Sequence, residues 1–155
     1  MKNLTFLGDS LTAGYRLADP DSESVPALIQ QKINEEGIDF KVYNGGYSGS
    51  TSGNGLYRLD HWLRWPSDAF VVELGINDLI RKVEPERTYY NLTAIMKRVR
   101  EKNPECRLAV MGMRLPKTKL TASATSFNEL YPKLAKEFNA AYVPFYLEGV
   151  AGNRA

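Results

Sequence analysis

The sequence predicts an α/β fold: a parallel sheet of five strands with helices on both faces. Short β-forming runs recur five times along the 155 residues, and the first four are each followed by helical spacing of apolar residues. The third run, Ala69 to Leu74, is almost wholly apolar, as a central parallel strand covered on both sides must be. Three of the runs pass straight into polar or glycine-rich loops, so those loops are expected at one edge of the sheet.

Taken in order, Asn3 to Leu7 forms the first strand and Gly8 closes it. Asp19 to Ser24 is a polar loop, and Val25-Pro26 opens a helix with proline in its first turn. Leu28, Ile29 and Ile33 make its apolar stripe, and Gly37 ends it. Phe40 to Tyr43 alternates as a second strand and runs into Asn44 to Gly53, a loop with four glycines. Leu56, Leu59 and Leu63 mark one face of the next helix, which Pro66 stops.

The third strand leads directly into Gly75-Ile76-Asn77-Asp78. Glu86 to Lys102 reads as a helix with Leu92, Ile95, Met96 and Val99 inward. Leu108 to Met113 is a fourth strand, followed by a loop from Arg114 to about Thr121. The next helix starts at Ser123 or Ser126 and places Phe127, Leu130, Leu134 and Phe138 on one side. Pro132 inside it predicts a kink or a split. Ala141 to Tyr146 is the fifth strand, and Leu147 to Ala155 reads as loop.

The size fits one domain with a sizeable core, and 43% hydrophobic with 25% charged residues is ordinary for a soluble globular chain. A net charge of +2 points to neither nucleic acid nor an anionic membrane as partner. No apolar run nears the roughly 20 residues that span a bilayer. With a strand beginning at Asn3 there is no room for a signal peptide, so with Met1 as the natural start the expected compartment is the cytoplasm. Cys106 is the single cysteine, which excludes an internal disulfide and a cysteine-based metal cluster. It stands at the entry of a strand and is read as a packing residue.

The chemistry gathers where three strands end. Ser10, in Gly8-Asp9-Ser10-Leu11, follows the first strand and suits either a nucleophile or a helix cap. Acyl transfer needs a hydroxyl nucleophile and fixed donors about 3 Å from the developing oxyanion. The N–H of Ser10, the N–H of Gly49 and the side-chain amide of Asn77 are candidates for the three donors. Gly49 equally suits a turn, and Asn77 a helix cap. Asp9 is counted among the candidate substrate contacts beside Ser10. Its residue type and position, like those of Asp78, also suit holding loop backbone by hydrogen bonds.

In these residues the chain resembles the SGNH hydrolase superfamily, the GDSL esterases and lipases. Its first block appears as Gly8-Asp9-Ser10-Leu11, its second as Asn44 to Ser52, and its third as Gly75-Ile76-Asn77-Asp78. Val71 to Gly75, Arg114-Leu115-Pro116 and Tyr131 to Phe138 resemble most the bacterial thioesterase I, lysophospholipase L1 and arylesterase branch. The resemblance implies a flavodoxin-like three-layer α/β/α sandwich and no metal or organic cofactor. It implies Ser10 as nucleophile, with Ser10, Gly49 and Asn77 forming the oxyanion hole of an enzyme for carboxylic esters or acyl thioesters. It also puts substrate contacts in the loops after strands two, three and four, at Tyr47, Ile76, Leu79, Leu115 and Pro116.

The pattern departs from the family at one point. The family's Asp-x-x-His block is absent: the last aspartate is Asp78 and the single histidine is His61. His61 lies off the apolar stripe of its helix and is read as a solvated residue, not as a substitute base. The domain is therefore expected to lack its closing helix and the triad His and Asp, leaving part of one sheet face bare and the chain as printed nearly inactive. A noncatalytic module that holds an acyl group or carboxylate is the rival reading. A flavodoxin-like nucleotide binder is a weaker one, since the glycine-rich loop lacks the dinucleotide and Walker spacings.

Overall fold

A computed structural model describes residues 1–115, 121–144 and 146–149. Its sheet contains β1 (Lys2–Gly8), β2 (Phe40–Gly46), β3 (Ala69–Glu73), β4 (Arg107–Met111) and β5 (Ala141–Val143). They run in the order β2-β1-β3-β4-β5, with every pairing parallel. The crossover from β1 goes outward to β2, whereas each later one goes the opposite way. Right-handed crossovers therefore put the helices on two faces. On one are α1 (Ser10–Ala13), α2 (Pro20–Glu23) and α3 (Val25–Glu35); on the other are α4 (Ser52–Trp62), α6 (Pro85–Lys102) and α7 (Ala122–Glu137). The short α5 (Ile76–Ile80) sits at the carboxyl end of β3.

The core lies under α4, α6 and α7. Phe70, Val72, Leu108 and Val110 of the sheet are buried there against Leu59, Leu92, Ile95, Met96, Phe127 and Leu134. These are the alternate residues of β3 and β4, so the neighbouring positions turn to the other face. On that face Val71 is buried, Ala109 and Met111 are half-buried, and Ala141 and Val143 are exposed. The bareness expected from the sequence is thus concentrated on β4 and β5.

Several local expectations differ from what forms. The short segments α1, α2 and α5 are helical turns, too short for any hydrophobic period to announce. The stripe on α3 is only partly covered, with Leu28 exposed and Ile29 and Ile33 half-buried. Pro132 does not split α7: Thr121 caps the helix through its hydroxyl, and it continues from Ala122 to Glu137. Pro132 lies on the exposed side, where the carbonyl it leaves without a donor can be hydrated. β4 and β5 end at Met111 and Val143, earlier than the apolar runs suggest. Cys106 is buried, and that burial pushes its thiol up to about 11, which leaves it a packing residue. Among the described residues no helix is long and apolar enough to cross a membrane.

The turn after β3 depends on Gly75. Its φ is +133°, and a Cβ there would lie 1.9 Å from the Tyr131 hydroxyl oxygen. That hydroxyl, on α7 and fully buried, donates to the carbonyl of Leu74 at 2.8 Å. Burial keeps the phenol neutral by pushing its pKa well up. Tyr131→Phe should cost about 1 kcal/mol, and Gly75→Ala, which adds backbone strain to a steric clash, about 3 kcal/mol or more. Urea unfolding midpoints at unchanged slope check both values.

Candidate active site

β1 and β3 pair in register with Gly8 opposite Glu73, so the two central strands finish level with each other. Their crossovers leave in opposite directions, which opens a crevice outside their carboxyl ends. Ser10 is the first residue of α1. Asp9 caps this turn by accepting from the Leu11 N–H at 2.9 Å, and Gly14, in the left-handed region at φ +85°, ends it. Ser10 is half-buried, and neither its N–H nor its hydroxyl has a hydrogen-bond partner among the described residues.

The second loop is joined to the first by the Tyr47 N–H, which donates to the Gly8 carbonyl at 3.1 Å. Ser50 N–H then donates back to the Tyr47 carbonyl, closing a tight turn with Gly49 at its third position and φ +80°. Positive φ at that place is the reason a glycine stands there. The Gly49 carbonyl accepts from Arg81 at 3.1 Å, while its N–H has no partner among the described residues.

Asn77 reaches from α5 and donates one amide hydrogen to the Ser50 carbonyl at 3.0 Å. This bond orients the amide and leaves its second hydrogen available. Asp78, next to it, is buried and accepts from the Ser52 N–H at 2.7 Å, the Ser52 hydroxyl at 2.5 Å and the Thr88 hydroxyl at 3.1 Å. It therefore ties α5 to the start of α4 and to α6. Arg58 adds a clamp that the sequence reading missed. Its guanidinium donates to the Gly45 and Gly8 carbonyls at 3.3 Å and to the Ser50 hydroxyl at 2.9 Å. A basic residue opposite glycine carbonyls on the preceding loop has no signature in sequence spacing.

The remaining predicted contacts are distributed differently. Asp9, expected to meet substrate, is fully buried, so no ligand reaches it. Its amide donates to a Glu73 carboxyl oxygen at 3.1 Å, and the Thr12 hydroxyl donates to the same oxygen at 2.8 Å. Tyr47 is 65% exposed and turns its ring toward the Arg58 guanidinium, 5.3 Å from the ring centroid, on a groove shared with Tyr57 and Trp62. Ile76, Leu79 and Leu115 are half-buried and pack against the core. Leu115 is pinned through its N–H to the Asn128 side chain at 2.8 Å. Pro116 lies outside the described residues. A groove of about 370 Å³ runs beside Ser10 instead on the α1 side, lined by Leu11, Tyr15, Leu17, Val25, Tyr146 and Leu147.

His61 is exposed on α4, with its ring edge-on to Trp62 at 5.1 Å and Trp65 at 5.5 Å, and no hydrogen bond links it to Ser10. Glu73 was the other residue missed, and here a signal existed: it is the one charge in an otherwise apolar central strand. Among the described residues no group of three or more His, Cys, Asp or Glu side chains is placed to hold a metal ion.

A serine at the first strand's tip, a glycine turn and an amide donor on one sheet edge are the parts that the class of serine hydrolases requires for an oxyanion site. Comparison places the chain within that class. Residues 6–155 match the model of the GDSL-like lipase/acylhydrolase family. The chain is 35% identical over 150 residues to an arylesterase of Vibrio mimicus, spanning 96% of this chain and 73% of that protein. It is 40% identical over 148 residues to thioesterase 1/protease 1/lysophospholipase L1 of Escherichia coli K12, spanning 95% and 68% respectively. Among solved structures, TesA superposes with a TM-score of 0.91 at 33% identity, covering 99% of this chain and 84% of that one. AlinE4, an SGNH-hydrolase family esterase, superposes at 0.88 and 34% identity, covering 98% and 80%. The chain belongs to the GDSL-like lipase/acylhydrolase family of ester-cleaving serine hydrolases.

The Asp78 cradle makes a direct prediction. Asp78→Ala leaves the Ser52 N–H and two buried hydroxyls without their acceptor and should lower stability by about 3 kcal/mol. Thermal unfolding of the purified variant against the parent measures this.

Proposed function

We propose that Ser10 attacks the carbonyl of a carboxylic ester or acyl thioester and carries the acyl group as a covalent intermediate. The N–H of Ser10, the N–H of Gly49 and the free amide hydrogen of Asn77 hold the oxyanion. The observation that carries this reading is the linkage of the three loops at one edge: Tyr47 N–H to the Gly8 carbonyl, and Asn77 to the Ser50 carbonyl, with all three donors left free. The serine proton needs a base, and no imidazole among the described residues faces Ser10. In this reading the base is the His–Asp pair that the family resemblance implies, which the described residues do not contain.

One apolar groove adjoins the serine, at Leu11, Tyr15, Leu17 and Val25, and an ester has two arms. The acyl chain is assigned to Ile76, Leu79 and Leu115, because Ile76 and Leu79 share α5 with Asn77 and move with the oxyanion donor. The groove at Tyr15, Leu17 and Val25 then receives the alcohol or thiol. The substrates are small molecules.

With the full natural protein, Ser10→Ala should reduce p-nitrophenyl ester turnover to background. Asn77→Ala should lower kcat about 10²- to 10³-fold with a much smaller change in KM. Turnover unchanged in Ser10→Ala removes Ser10 from the mechanism. Acyl binding without turnover in the parent supports the noncatalytic module instead. In an acyl-length series, Ile76→Trp should shorten the preferred chain while Leu17→Trp leaves it unchanged; the reverse result exchanges the two arms.

A further inference from the structure

Directly behind Ser10 lie two carboxyl groups that the reaction does not use. Asp9 is 0% and Glu73 1% exposed, and the Asp9 backbone N–H donates to the Glu73 carboxyl, which sets the two groups beside each other. Glu73 offers one oxygen to two donors, the Asp9 amide at 3.1 Å and the Thr12 hydroxyl at 2.8 Å. Asp9 offers Oδ1 to the Leu11 N–H at 2.9 Å, while its Oδ2 is buried with no donor. A buried carboxylate oxygen without a donor is costly, and two ionised carboxylates in contact away from water are costlier. One proton between them relieves both penalties.

We propose that Asp9 and Glu73 share a single proton, carried by Glu73 and donated to Asp9 Oδ2, and that Glu73 is thereby a positioning residue for Ser10. The positioning half rests on the Ser10 reading above; the proton half does not. Asp9 is the anion because it caps α1, where the N–H groups of a helix start favour negative charge. Neutral Glu73 then grips both the amide and the side chain of Asp9, so the peptide that carries Ser10 is held on both sides. Burial raises the pKa of Glu73 well above the usual range, and the adjacent Asp9 raises it further, in keeping with this assignment. The other groups facing the pair are Asp78 of α5, Tyr131 of α7 and Tyr146 after β5.

Glutamine is the natural probe, since its amide reproduces the neutral acid, with a carbonyl to accept from Asp9 N–H and Thr12 and an N–H₂ to donate to Asp9 Oδ2. The infrared spectrum at neutral pH should contain the C=O stretch of a protonated carboxylic acid, and Glu73→Gln should remove it. Stability gives a second reading on the same two proteins. The free group ionises near 4.5, so above that pH the unfolded chain releases a proton that the fold retains. The parent therefore loses stability as pH rises above about 5, and Tm of Glu73→Gln should gain steadily on the parent for as long as the fold retains the proton. Asp78 and the two tyrosines are common to both proteins and cancel in the difference. In turnover, Glu73→Met should lower kcat more than it changes KM, and Glu73→Gln should restore most of the loss.

No acid band at neutral pH, or parallel Tm curves, overturns the shared proton. A band that survives Glu73→Gln but vanishes in Asp9→Asn puts the proton on Asp9 and overturns the assignment. A band with no rescue of kcat by glutamine overturns the positioning role. Failure of the Ser10 mechanism itself shows separately, as turnover that survives Ser10→Ala while the infrared band stands.

Discussion

The level pairing of Gly8 with Glu73 at the ends of β1 and β3 is the constraint on which the rest of the structure depends. Two parallel strands that finish together, with crossovers departing to opposite sides, cannot be covered at that end by either connection. The loops after β1, β2 and β3 are therefore left to satisfy one another's backbone groups. They do so through Tyr47 on Gly8, Asn77 on Ser50 and Arg81 on Gly49. The same shortage of partners leaves the N–H groups of Ser10 and Gly49 without an acceptor among the described residues.

Holding such an edge open requires polar groups to be buried behind it. Asp78 accepts from three donors on α4 and α6, and the terminal nitrogens of Arg58 donate to three acceptors from β1, β2 and the second loop. Each spends side-chain entropy and desolvation, and in return each ties together elements far apart in sequence. Asp9 keeps one buried carboxyl oxygen without a donor, and that imbalance is the ground for the proposed shared proton. Stability and chemistry are thus supplied by the same small set of side chains at the top of the sheet, while the apolar mass under α4, α6 and α7 holds the platform in place.

Much of this was legible in the chain. The all-apolar run of β3 and the periodic faces of α4, α6 and α7 each reflect a burial pattern that repeats along a single element. The three blocks that hold Ser10, Gly49 and Asn77 were legible because each is short and local. Asp78 was rightly read as holding loop backbone, since it accepts from Ser52 N–H. The misses were of another kind. Asp9, counted among the substrate contacts and also read as holding loop backbone, does the second, and Leu28 on the α3 stripe stays exposed. The burial of Asp9 beside Glu73 and the exposure of Leu28 depend on which elements pack nearby, and no local spacing records that.

The sequence by itself determined the strand and helix order, the parallel sheet and the three blocks at its edge, because period and turn chemistry act between residues close along the chain. Tertiary structure alone decided which way the polar side chains of those blocks face. It brought Arg58 onto the Gly8 carbonyl and Glu73 against Asp9, contacts that exist once β1, β2 and β3 lie side by side. The physical reason is that burial and hydrogen-bond satisfaction belong to the assembled edge rather than to any one segment.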